Sequence, residues 1–89
     1  MKKTYRKKPV TVEAVQFVKD SEGKTNIKEI LDFIGEKDVS YTFGEGIVVI
    51  RTLEGETCAS IDDYVIKGTA GEFYPCKSHI FEDVYEEVD

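Results

Sequence analysis

The apolar positions of this chain change period along its length, and the changes mark its elements. Val10 to Val18 is rich in β-branched residues, follows Pro9 and reads as a strand. Val10, Val12 and Ala14 alternate onto one face, while Val15 and Phe17 fall on the other. A strand buried on both faces explains this pattern, and so does a bulge near Ala14–Val15. After a polar loop, Lys19 to Thr25, the period becomes helical: Ile27, Ile30, Leu31 and Ile34 form one stripe. Asn26 stands at the N-cap position with Glu29 three residues on, the spacing of a capping box. Gly35 follows as a C′ residue able to adopt positive φ.

Beyond Gly35 the period is two. Val39 to Phe43 reads as a short strand, Gly44-Glu45-Gly46 as a turn, and Ile47 to Leu53 as the strongest strand of the chain. Glu54-Gly55 has the form of a two-residue hairpin loop, which returns the chain antiparallel over Glu56 to Ser60. Tyr64 to Lys67 and Glu72 to Pro75 flank Gly68-Thr69-Ala70-Gly71 and predict a second hairpin. Pro75, which cannot donate to a ladder, is expected to end it. Ser78 is placed to cap a short helical turn through Glu82. Val84 to Val88 reads either as a last strand or as a continuation of that helix.

This order predicts an α+β domain spanning residues 1–89. Its frame is a curved antiparallel sheet of about five or six strands, either open or closing into a small, partly open barrel. One main helix lies on a face of the sheet, and a short helical turn lies near the C-terminus. With 89 residues and a 40% hydrophobic share, the chain can build one modest core, to which five Tyr and five Phe contribute much of the volume.

Charge divides the chain. Residues 1–8 form a basic arm with Lys2, Lys3, Arg6, Lys7, Lys8 and no acid. The rest holds seven basic and eighteen acidic side chains, a net of −11 against −6 for the whole. Such a body repels a nucleic-acid backbone, so nucleic acid is disfavoured as a partner. No apolar run approaches the ~20 residues that span a bilayer, and no signal-peptide stretch follows the basic start. The sequence therefore predicts a cytoplasmic protein with no membrane contact. Cys58 and Cys76 are then expected to be reduced, buried thiols.

Candidate chemistry is sparse. His79, the single histidine, has Ser78 beside it but no motif that builds a hydrolytic triad. Two Cys and one His without C-x-x-C spacing make a poor zinc set, so no metal or cofactor is expected. Asp62-Asp63 with Glu72 is an acidic group able to hold a cation, but Asp at such a position also serves a plain turn. Gly68-x-x-Gly71 is too short for a phosphate loop and fits a hairpin. Tyr5, Tyr41, Tyr64, Phe73, Tyr74 and Tyr85 have few basic residues beside them, which favours packing over base stacking. Glu82, Asp83, Glu86, Glu87 and Asp89 form an acidic tail, suited to solvent or to docking a protein.

Both ends of the chain resemble a known family. Tyr5 to Phe17 (YRKKPVTVEAVQF) is similar to the opening of a widespread family of small phage and prophage proteins. Asp63 to Gly68 (DYVIKG), Gly71 to Lys77 (GEFYPCK) and Ile80 to Glu86 (IFEDVYE) resemble its closing half. This chain departs at Asp62, where the family tends to have glycine, and at Ser78-His79, where Pro-Asp is common. The resemblance implies a phage or prophage origin, a small cytosolic product in the host cell, and no recognised enzyme class. Its shared residues look structural: glycines that turn the chain, Phe73, Tyr74, Phe81 and Tyr85 packed together, and Lys67 paired with Glu72 across the hairpin. The exposed members of this set are the candidates for binding a ligand or partner: Asp63, Tyr64, Lys67, Glu72, Tyr74 and Lys77. Sequence and resemblance together point to a non-enzymatic accessory protein that binds a host or phage protein and is able to pair with a second copy of itself. The alternative is a module for a small, nucleotide-like ligand with a pocket near the 63–74 hairpin.

Overall fold

A computed structural model gives the architecture and describes residues 1–35, 39–42, 46–52 and 54–88, with side chains for all of these except 40–42. In chain order the elements are β1 (Glu13–Gln16), α1 (Ile27–Ile34), β2 (Val39–Thr42), β3 (Ile47–Thr52), β4 (Gly55–Ser60), β5 (Tyr64–Lys67), β6 (Phe73–Cys76) and α2 (Ser78–Val84). The fold is α+β, as expected. Its strands do not form one continuous sheet, however, and no closed barrel results. They divide into two three-stranded antiparallel sheets, β1-β5-β6 and β2-β3-β4.

Register assigns the faces, because directly opposed residues share a side of the sheet. In the second sheet Val39 opposes Ile50 and Val48 opposes Ala59, and all four are buried. Val49 and Cys58 oppose each other on the other side. Cys58 is therefore exposed rather than buried, since the alternation of β4 turns it outward. In the first sheet Val15 opposes Val65, which opposes Pro75. Val15, Val65 and Phe17 join Ile30 and Ile34 of α1 and Val39, Val48, Ile50 and Ala59 of the second sheet in the main core, with Phe73 packed against it. Each fully buried side chain in this set contributes roughly 1.5–3 kcal/mol.

Several local expectations are corrected. β1 pairs only over Glu13–Gln16, and Val10 stays outside it, 48% exposed. Phe17 leaves the regular ladder: its N–H donates to the Asp63 carbonyl (2.9 Å), and its own carbonyl accepts from the Asp62 N–H (2.6 Å). Asn26 does not cap α1 with its side chain. Its Oδ1 accepts from the Val18 N–H (2.8 Å), while Nδ2 donates to the Gln16 carbonyl (2.8 Å) and to Glu29 Oε1 (3.0 Å), so the amide ties the helix start to the end of β1. Gly35 does close α1, at φ 97, with its N–H donating to the Leu31 carbonyl (2.8 Å).

Gly55, expected in the hairpin loop, is the first residue of β4 and opposes Thr52. Pro75 lies inside β6 opposite Val65 instead of ending the strand; β6 is an edge of its sheet, where a missing N–H is tolerated. Ser78 is the first residue of α2 rather than its cap, and Lys77 precedes the helix in an extended conformation. The helix stops at Val84, and residues 85–88 form neither strand nor helix. The strand end at Phe43, most of the 44–46 turn, Leu53 and Asp89 lie outside the described residues.

Candidate functional site

The face of the first sheet turned away from the main core is where surface chemistry collects. Ala14, Ile66 and Tyr74 oppose one another across the three strands, as do Gln16, Tyr64 and Cys76. Ile66 is 1% exposed, yet it is no part of the main core cluster. It is covered on this second face, where α2 packs. Tyr64 stacks on Phe81 of α2, with ring centroids 3.8 Å apart and planes 11° apart, and Phe81 stacks in turn on Tyr85 at 4.8 Å. Phe73 is not in this group. Its register turns it to the opposite face, where it meets Phe33 edge-on at 5.4 Å.

Between the segment 9–14 and the end of α2 with its tail lies a groove of about 900 Å³. Pro9, Val10 and Val12 form one wall, Val84, Tyr85 and Val88 the other, and Tyr64 and Phe81 line it between them. The apolar side chains here are open to solvent: Val84 is 58% and Val88 65% exposed. Glu82, Glu86 and Glu87 add an acidic rim. Exposed apolar surface of this kind, edged by charge, is characteristic of interaction sites.

The six candidates do not converge on a single cavity. Asp63, 4% exposed, is a structural carboxylate: Oδ2 accepts from the Ser60 N–H (2.9 Å) and pairs with Lys77 Nζ (3.2 Å). Lys77 is thereby committed to that pair. Lys67 is exposed at the end of β5 and opposes Phe73, and the expected Lys67–Glu72 ion pair does not form among the described residues. Glu72 instead folds its carboxylate over Gly68, whose N–H donates to the Glu72 carbonyl (2.7 Å). Tyr74 is half-buried. Burial pushes its hydroxyl above the ordinary tyrosine range, and the hydrogen-bonded Tyr85 side chain and the Glu72 carboxylate add to the rise. Of the six, only Tyr64 lines the groove.

Other sequence candidates are placed as follows. His79 is exposed on α2, and no hydrogen bond joins it to a serine, cysteine or carboxylate among the described residues. No cluster of three His, Cys, Asp or Glu able to hold a metal occurs among the described residues. Asp62 has φ 78, the left-handed conformation that Asp tolerates in a turn. No described helix is long and apolar enough to cross a membrane.

The residues that sequence reasoning missed are Val10, read there within a strand, and Val84 and Val88, read there as part of a last strand or of a continuing helix. Their signal was present: the acidic tail interleaves glutamates with Val84, Tyr85 and Val88, a mixture suited to a rim and its floor. Comparison with known proteins returns no matching family model, no matching curated protein and no matching solved structure.

Proposed function

We propose that this chain is a non-catalytic protein-binding module whose groove takes an extended protein segment that is apolar at its centre and basic at its flanks. The observation that carries the reading is the groove itself: exposed Val10, Val84 and Val88 beside the Tyr64–Phe81–Tyr85 stack, edged by Glu82, Glu86 and Glu87. Apolar side chains and aromatic anchors supply binding energy, and the carboxylates select the charge of the flanks and speed encounter. The same carboxylates disfavour a nucleic-acid backbone. The similarity of Tyr5–Phe17 and Gly71–Lys77 to small phage and prophage proteins supports an accessory role in the cytoplasm of a host cell, with a host or phage protein as partner. A small-ligand site at the 63–74 hairpin has less support, because Asp63 and Lys77 are spent on each other and Lys67 and Glu72 stand apart.

The test is binding of labelled synthetic peptides with a Val-Tyr centre flanked by lysines or by glutamates. The lysine-flanked peptide binds, and Val84→Glu with Val88→Glu weakens it by about tenfold or more. Equal binding of both peptides, or an unaffected variant, would contradict the reading.

A further inference from the structure

We propose that the groove is filled by the basic arm of a second copy of this chain, given and received reciprocally, so that the protein forms a two-fold dimer. The inference rests on the groove being a site for basic, apolar segments, and it names one such segment. The arm carries Lys2, Lys3, Arg6, Lys7 and Lys8 with no acid, and among them Tyr5, whose side chain is 85% exposed and packed on nothing of size. That is the chemistry the groove lacks: an aromatic anchor for the Tyr64–Phe81–Tyr85 stack and cations for Glu82, Glu86 and Glu87.

Within its own chain the arm touches the groove through Lys7, whose Nζ lies 5.5 Å from the centroid of the Tyr85 ring. Every residue from 1 to 10 is exposed. Pro9 and Val10 are part of the groove's wall. The Lys7–Tyr85 contact shows that an arm cation matches the groove's aromatic stack chemically. Reciprocal exchange uses the same patch on both copies and closes the assembly at two.

A charge-reversal exchange tests this with the full chain. At low salt the native protein has twice the 10.1 kDa mass of one chain by light scattering, and salt at about 0.5 M weakens the association roughly tenfold. Lys7→Glu with Lys8→Glu is monomeric, as is Glu86→Lys with Glu87→Lys, and both retain native circular dichroism. Mixed in equal amounts, the two variants restore a dimer holding one of each, because the reversed arm then meets the reversed groove and the native arm meets the native groove. Tyr5→Ala weakens the native dimer without altering the fold. A native chain that is monomeric at every concentration overturns the exchange, and so does failure of the mixture to pair. Either result leaves the peptide binding described above standing, so the two readings fail separately.

Discussion

Asp63 and Lys77 show how differently two partners in one ion pair weigh. The carboxylate is 4% exposed and holds the Ser60 N–H as well as the ammonium, whereas the lysine side chain is 59% exposed. Asp63→Ala leaves the half-buried Ser60 N–H without its side-chain acceptor and is expected to cost about 1–3 kcal/mol. Lys77→Met costs about 1 kcal/mol or less. Urea unfolding of both variants checks the asymmetry, and equal losses would refute it.

Tyr74 makes a prediction in pH. Tyrosine in an unfolded chain titrates near 10. The folded-state value lies above that because of burial, the Tyr85 hydrogen bond and nearby negative charge. The stability carried by the protonated hydroxyl is therefore fully present below about pH 10 and is lost as pH rises through the higher folded value. Tyr74→Phe should lose less stability than the native chain between about pH 9 and pH 11, as measured by chemical denaturation. A residue of this kind was legible only in part. Asp62 at positive φ could be expected, because Asp tolerates the left-handed region in a turn. The burial of Asp63 could not, since nothing local to it specifies Lys77 as its partner.

Among elements, the strength of a local signal decided what could be read. α1 announces itself through four apolar residues at helical spacing and a closing glycine, and it forms over Ile27–Ile34 with Ile30 and Ile34 buried. The β3–β4 pair is legible for a related reason, as its alternation survives intact in the register. Sequence failed where tertiary pairing overrode local habit. Pro75 stays in β6 because that strand is an edge, a fact of sheet order that no local pattern carries. Asn26 has the composition of a cap but spends its amide on β1. This difference is measurable. At an ordinary N-cap Asp substitutes for Asn at little cost. Here Asn26→Asp keeps the acceptor for the Val18 N–H, loses the donor to the Gln16 carbonyl and sets a second carboxylate beside Glu29. It is expected to cost about 1–2 kcal/mol, close to Asn26→Ala. A thermal melt in which Asn26→Asp matched the native chain would restore the simple cap.

At the scale of the molecule, the division into two sheets is what creates the site. One face of the first sheet supplies Val15, Phe17 and Val65 to the shared core, and the other is left for α2 and the segments beside it. α2 is seven residues long and covers only part of that face, so the tail after Val84 and the segment before β1 stand apart with a groove between them. The α+β class, the single main helix and the acidic tail were readable from pattern and composition. The groove was not, because it arises where residues 9–14 and 81–88 meet, and local periodicity carries no information about which ends of a chain become neighbours. The outline agrees: the radius of gyration is 14.4 Å, above the roughly 12 Å of a compact domain of this length, as a chain with an exposed arm requires.

The claim that this groove is the binding face is tested most directly by amide chemical-shift mapping of the full chain during titration with the lysine-flanked Val-Tyr peptide. The account predicts saturable shifts concentrated at Val10 to Ala14, Tyr64 and Phe81 to Val88, with the β3–β4 hairpin and the Lys19–Asn26 loop unmoved. Shifts centred instead on Lys67, Glu72 and Lys77, or scattered without saturation over the acidic surface, would contradict it.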